Sequence, residues 1–166
     1  TYPSGTTYFG GTQDNGTNRG TTGSTNWSSL LGGDGGYVAV NPSATTTLFA
    51  ENTNLSIQKS TTGTGPFTSS ISGITEASGN FLFINPFIMD PNNSNRLWTG
   101  GYTLWRTDNQ GTSWTRASVL NQTGGGGNSV TSWAVQPANS DLVLAGDEIG
   151  NIYRNASATT ASSTTT

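Results

Sequence analysis

The sequence contains no cysteine and no histidine. Their absence excludes disulfides and the thiolate and imidazole ligand sets that hold most protein-bound zinc. No metal or cofactor is expected. Charge is nearly as scarce: Asp, Glu, Lys and Arg together make up 9% of 166 residues, against about 25% in an ordinary globular chain. The six basic residues are Arg19, Lys59, Arg96, Arg106, Arg116 and Arg154, scattered along a chain of net charge −3. No basic patch is set to neutralise several phosphates, so nucleic acid is not an expected partner. No apolar run reaches the roughly 18 residues of a helical membrane span.

Apolar residues are also sparse, at 31%. Thr, Ser, Asn and Gly fill the difference. A disordered chain carries more charge and fewer rings, whereas this one has 5 Trp, 5 Tyr and 6 Phe. Aromatic residues and Thr favour pleated, half-buried surfaces. The composition therefore predicts an all-β fold with many turns. A Thr/Ser/Asn-rich, charge-poor surface suits an extracellular or cell-surface setting. Glycosylation sequons stand at Asn15, Asn26, Asn54, Asn92, Asn121 and Asn155, although a chain of this composition produces them by chance. The first residue is Thr1 and the single Met is Met89, as in a processed or partial chain.

Three segments repeat one another: "YVAVNPSATTTLFAENTNLSIQKS", "FIMDPNNSNRLWTGGYTLWRT" and "SWAVQPANSDLVLAGDEIGNIYRN". Each opens on a short apolar run ending at Pro42, Pro91 or Pro137. A polar turn follows, then a second run from Leu48, Leu97 or Leu142. The third run ends in Lys59, Arg106 or Arg154. A weaker copy, "YPSGTTYFGGTQDNGTNRG", opens the chain. The prolines lie 49 and 46 residues apart. A period of roughly 40–50 residues with several short strands per unit is the pattern of propeller blades. Proline closes each first strand because it has no N–H for a ladder.

The expected strands are 6–12, 16–20 and 26–31; 36–41, 47–52, 55–60 and 67–73; 82–89, 96–100, 103–107 and 114–119; and 130–136, 142–146 and 150–154. They define a repeat domain over 1–155, with a partial blade at 1–31, blades at 36–74 and 82–120, and a partial blade at 130–155. Residues 156–166, "ASATTASSTTT", read as a low-complexity tail, either a flexible or glycosylated linker or a terminal strand. "TGGGGNS" at 123–129 lacks the lysine of a phosphate loop and reads as a flexible connection. In "YTLWR", alternation places Leu104 on one face with Tyr102 and Arg106, and Trp105 on the other.

The stretch "TDNQGTSW" at 107–114 joins the third and fourth strands of the best-preserved repeat. Asx and hydroxyl side chains can bond the turn backbone, and Gly111 can take a positive φ. Trp114 would then pack over the turn. Degenerate copies stand at 60–67 and 21–27. The stretch resembles the Asp-box hairpin of sialidases, sortilin-type receptors and xyloglucan-cleaving propeller glycosidases. Thr107, Asn109, Gly111, Ser113 and Trp114 match its positions, with Asn109 where the family usually has Asp. The resemblance implies a β-propeller and a structural, non-catalytic role for these residues. "FGGTQDNGT" and "GGDGGYVAVNP" also look like pieces of secreted bacterial sortilin-like repeats.

Glycoside hydrolysis usually needs two carboxyl groups flanking the scissile bond. The candidates are Asp14, Asp34, Asp90, Asp147 and Glu148. Asp34 is the strongest, since "GGDGG" would present it on a bare loop, yet a turn Asp between glycines explains it more simply. Asp90 precedes Pro91 at a repeated turn position, and Asp147–Glu148 falls in a hairpin turn. The arginines recur at equivalent blade positions, which argues against an arginine cluster of the sialidase kind. Trp98, Tyr102 and Trp105 could form a sugar-stacking platform, but two tryptophans between sheets serve packing first.

Two four-strand repeats flanked by two three-strand ones leave the ring of blades incomplete within one chain. The first partial blade lacks its first strand and the last lacks its fourth. Open edges template pairing with another chain, and complementary gaps suit a head-to-tail contact between copies. The expected function is therefore structural, with copies of the chain as partners, strands exchanged or donated, and a filament as one outcome. A glycan- or protein-binding module and a glycosidase fragment are the alternatives.

Overall fold

A computed structural model describes residues 5–118 and 127–165. The Asn121 sequon and most of the glycine run at 123–129 lie outside the described residues. Among the described residues, fourteen strands form four antiparallel sheets. Sheet 1 contains β1 (Thr7–Thr12), β2 (Gly16–Thr21) and β3 (Ser28–Leu31). Sheet 2 contains β4 (Val38–Val40), β5 (Leu48–Asn52), β6 (Ser56–Ser60) and β7 (Thr68–Ser69). Sheet 3 contains β8 (Phe87–Met89), β9 (Leu97–Gly100), β10 (Leu104–Thr107) and β11 (Thr115–Arg116). Sheet 4 contains β12 (Val130–Gln136), β13 (Asn139–Asp147) and β14 (Ile152–Asn155). Spatial order follows chain order in every sheet, so each sheet is a meander of short local connections. The all-β, repeated-sheet architecture expected from composition and period is present.

The registers of the four sheets correspond. Phe9 pairs with Arg19, Phe49 with Lys59, Trp98 with Arg106, and Leu144 with Arg154. One further register step carries each ladder to Tyr8–Gly20, Leu48–Ser60, Leu97–Thr107 and Val143–Asn155. Alternation then gives every sheet two distinct faces. The back face carries Phe49 and Ile57 in sheet 2, and Trp98 and Leu104 in sheet 3. The front face carries Leu97 and Trp105 in sheet 3, and Val143 and Ala145 in sheet 4.

The core consists of back faces packed on front faces. Phe49, Leu55 and Ile57 of sheet 2 cluster with Phe87, Leu97, Trp105 and Trp114 of sheet 3. Trp98 and Leu104 of sheet 3 cluster with Val135, Val143 and Ala145 of sheet 4. Trp98 and Trp105 are thus neighbours in the repeat yet sit in different clusters, as the alternation of "YTLWR" requires. Sheet 1 joins the stack through β1 on β4 and β2 on β5. There the contact is backbone on backbone: a Cβ on Gly11 would collide with Gly36.

Three differences from the sequence reading have local causes. The outer strands are only Thr68–Ser69 and Thr115–Arg116, because Ser70 turns to the next sheet. Its Oγ donates to Gly111 O (2.9 Å), and its carbonyl accepts Trp114 Nε1–H (2.7 Å). The expected strand at 82–89 begins only at Phe87. Pro86 has no N–H, and the Asn85 N–H donates to the Glu51 carboxylate at 2.6 Å rather than to a ladder. Finally, residues 156–165 neither hang free nor form a strand. Ala158–Thr160 make a single 3-10 turn, and Ala158 and Ala161 are buried in the cluster around Trp98.

Candidate functional site

Four of the five carboxylates singled out in the sequence, those of Asp34, Asp90, Asp147 and Glu148, accept structural hydrogen bonds. Asp34 Oδ1 accepts the Asp14 N–H at 2.7 Å, tying the "GGDGG" loop to the "TQDNG" turn. Asp14 itself takes φ 63 in that turn. Asp90 is buried; it caps the Asn92 N–H at 2.8 Å and meets Arg96 at 3.5 Å. Asp147 is also buried and accepts from the N–H groups of Ile149 and Asn151, the Asn151 amide and the Tyr153 hydroxyl. Burial alone would raise its pKa; these four donors outweigh burial and hold it below the usual carboxylate value. Glu148 accepts the Ser129 N–H at 2.8 Å. These five residues serve four separate turns. The hydrogen bonds of Asp34, Asp90, Asp147 and Glu148 close and brace those turns.

The sugar-stacking candidates separate as well. Trp98 and Trp105 are 1% and 4% exposed, so neither presents a face to solvent. Tyr102 is half-buried in the β9–β10 turn. Asn15, Asn26 and Asn54 are exposed. The side chain of Asn92 links sheets 3 and 4: its Nδ2–H donates to Gln136 O (2.9 Å) and its Oδ1 accepts the Ala138 N–H (2.5 Å). Asn155 Oδ1 accepts the Ser157 N–H.

The turn at 107–114 closes by its own side chains. Thr107 Oγ1 accepts the N–H groups of Asn109 and Gly111 (3.3 and 3.0 Å). Asn109 Oδ1 accepts the Ser113 N–H (2.9 Å), while its Nδ2–H donates to Ser113 Oγ (2.9 Å). Gly111 sits at φ 71, a conformation that suits glycine. Trp114 is buried against sheet 2 through its bond to Ser70 O. Thr107, Asn109, Gly111, Ser113 and Trp114 therefore form one structural unit.

Glu76 and Glu51 are among the acidic residues that the sequence did not single out. Glu76 lies in the loop between sheets 2 and 3 and accepts four donors: Tyr102 N–H (2.6 Å), Thr103 Oγ1–H (2.8 Å), Trp105 Nε1–H (2.8 Å) and Asn80 Nδ2–H (3.2 Å). Glu51 is fully buried on β5 and accepts the N–H groups of Tyr37 and Asn85, where the chain enters β4 and β8. Burial raises its pKa from 4.5 to about 7, against the lowering effect of those two bonds. Neither residue belongs to a repeated motif, so periodicity could not single them out.

The repeated cations have a shared role. Lys59 Nζ lies 5.5 Å from the Phe49 ring centroid and donates to Gln110 O of sheet 3 at 2.9 Å. Arg106 lies 5.6 Å from the Trp98 ring and donates to Ala158 O and Ala161 O beyond sheet 4 (2.8 and 2.9 Å). In both, the cation covers the aromatic opposite it and reaches the chain that follows the third strand of the next sheet. Asp108 joins Arg106 and Arg96. Burial alone would raise its pKa, but the two guanidinium hydrogen bonds outweigh this and hold it below the usual value.

The surfaces without such cover lie at the two ends of the stack. On the front of sheet 1, Tyr8 and Trp27 are 36% and 53% exposed, beside Gly10 and Asn18. On the back of sheet 4, Ile152 is 76% exposed and Arg154 is exposed. Among the described residues, β1 pairs only with β2, and β14 only with β13. No grouping of three or more metal-ligating side chains occurs among the described residues, and no helix there is long and apolar enough to cross a membrane.

No protein-family model matches the chain, and no curated protein matches it. Among solved structures, the GH74 xyloglucanase of Xanthomonas campestris is similar, with a TM-score of 0.69 at 14% sequence identity. The match covers 93% of this chain and 27% of that one, so this chain spans about a quarter of that protein's length. At this identity the likeness concerns the fold, which agrees with the meander sheets and their repeated packing. This chain has an all-β, propeller-like fold of four antiparallel sheets.

Proposed function

We propose that this chain is a non-enzymatic structural protein of the extracellular space that assembles with copies of itself through its open sheet ends. The observation that carries this reading is the pair of three-stranded sheets closing the stack. Among the described residues each has an unpaired edge, at β1 and at β14, and an outward face bearing exposed aromatic or aliphatic side chains. Unpaired edges and contiguous apolar faces are the features through which β proteins associate. The engagement of Asp34, Asp90, Asp147 and Glu148 in structural turn hydrogen bonds supports a role without hydrolysis. The hydrogen bonding of the 107–114 turn supports its reading as an Asp-box, a fold staple rather than a site.

The test is the mass of the purified 166-residue chain, measured by light scattering across a concentration series, with negative-stain microscopy of the same samples. Oligomers or filaments are expected. A compact monomer at every concentration overturns the proposal. A second reading, a glycosidase fragment, takes its motive from the xyloglucanase neighbour and from Asp34. Hydrolysis of a β-glucan that is lost in Asp34→Asn would favour it.

A further inference from the structure

The chain contains three sheet-to-sheet contacts of one kind: the back of sheet 1 on the front of sheet 2, sheet 2 on sheet 3, and sheet 3 on sheet 4. Each back face pairs a hydrophobic residue with a cation directly across the ladder. The pairs are Phe9–Arg19, Phe49–Lys59 and Trp98–Arg106. Lys59 and Arg106 both donate to backbone carbonyls just past the third strand of the next sheet. Arg19 lines a cleft with Thr62, Gly63 and Thr64, the corresponding segment of sheet 2.

Among the described residues, sheet 4 carries the fourth copy of this device with nothing against it. Leu144 pairs with Arg154, beside the exposed Ile152, and the Arg154 side chain makes no hydrogen bond or ion pair within the described residues. Sheet 1 carries the matching front face, also uncovered. Tyr8 and Gly10 occupy the register positions of Leu48 and Ala50 in sheet 2, and of Leu97 and Thr99 in sheet 3. Those four residues are fully buried. Trp27 follows Gly20 by the same seven residues that separate Trp114 from Thr107. Trp114 is buried against the preceding sheet; Trp27 stands exposed, its indole lying over Gly20.

We infer that the back of sheet 4 docks on the front of sheet 1 of a second copy, repeating the internal contact between molecules. Leu144 and Ile152 cover Tyr8 and Trp27 of the second copy, and Arg154 donates to a backbone carbonyl in its 22–24 turn. The inference rests on the self-assembly proposed above and names the surfaces that carry it. The occupant is a second copy because the two open faces differ and complement one another, as the three internal pairs do. A surface that recognised itself would be a single self-complementary patch. Such a head-to-tail contact closes into a ring or continues as a fibre, according to the rotation it imposes.

The experiment uses two variants of the full chain. Ile152→Asp spoils only the back of sheet 4, and Trp27→Ala only the front of sheet 1; both positions are exposed, so circular dichroism of each variant should match the parent. Alone, each variant is expected to be monomeric by light scattering. Mixed in equal amounts, they should form a dimer and nothing larger, since one good face of each kind remains. Arg154→Met should weaken association by about tenfold or more, the worth of a charged hydrogen bond. Trp27 emission should shift to the blue on assembly of the parent chain. Assembly of the parent that survives both single variants overturns this interface while leaving self-assembly standing. A parent chain that stays monomeric to concentrations on the order of 100 µM overturns both.

Discussion

The guanidinium of Arg106 lies over the indole of Trp98, its partner across the β9–β10 ladder, with 5.6 Å between Cζ and the ring centroid. The same guanidinium donates to Ala158 O and Ala161 O. One side chain therefore covers the core of sheet 3 and fixes the segment after sheet 4. Arg106→Met keeps the apolar stem and removes the donors. It should cost about 2–3 kcal/mol, since bonds from a charged donor are lost and two carbonyls are left unmatched. Hydrogen exchange should show residues 158–165 losing protection before the sheets do. Unchanged protection there would refute the assigned role.

Glu51 gives the chain a pH dependence of definite sign. Its pKa is about 7 in the fold and 4.5 as a free side chain. Between those values the folded chain keeps a proton that the unfolded chain releases. Stability from this group is therefore greatest below about pH 4.5 and is lost as pH rises through about 7. The difference is on the order of 3 kcal/mol. No histidine is present to titrate in the same window. Urea unfolding from pH 4.5 to 8 should show the fall in the parent and a flatter profile in Glu51→Gln. An equal fall in both would assign the effect to other groups.

The 107–114 turn should be intolerant at one position and forgiving at another. Gly111 has φ 71, and a Cβ there would collide with Ser70 Oγ. Gly111→Ala should cost at least about 2 kcal/mol through backbone strain and overpacking. Ser113→Ala removes one side-chain partner of Asn109 at the surface and should cost about 1 kcal/mol or less. Chemical denaturation of the two variants separates these values; equal costs would mean that the turn is not strained as described.

Asn92 joins sheets 3 and 4 by donating to Gln136 O and accepting from Ala138 N–H. Asn92→Asp keeps the acceptor but sets a second oxygen against the Gln136 carbonyl. A loss of about 1–2 kcal/mol is expected at neutral pH, partly recovered in acid as the new carboxyl protonates. A variant with no loss at either pH would show that the bridge contributes nothing in solution. A glycan on this nitrogen would also break the bridge.

The repeat was legible because it is written in short-range chemistry. Pro42, Pro91 and Pro137 end first strands, and the alternation in "YTLWR" put Trp105 opposite Leu104 and Arg106. The turn at 107–114 was legible for the same reason, since the hydrogen bonds among Thr107, Asn109, Gly111 and Ser113 span at most four residues. Glu51 and Glu76 were not. Apart from the local Asn80–Glu76 bond, their contacts reach groups 14 to 34 residues away in sequence at positions the other repeats fill differently. The tail misled because "ASATTASSTTT" has no periodic pattern, yet two of its alanines, Ala158 and Ala161, are buried and give their carbonyls to Arg106.

Composition, period and turn chemistry, all local properties, determined by themselves that this chain forms all-β repeats of three or four short strands with cations ending each third strand. Only the tertiary structure decided what those cations do. Stacking placed Lys59 and Arg106 against carbonyls of the segments that follow the next sheet's third strand, buried Glu51, and, among the described residues, left Trp27, Ile152 and Arg154 exposed. Burial and long-range partners depend on how sheets meet in space, and neither spacing nor propensity along the chain encodes that meeting.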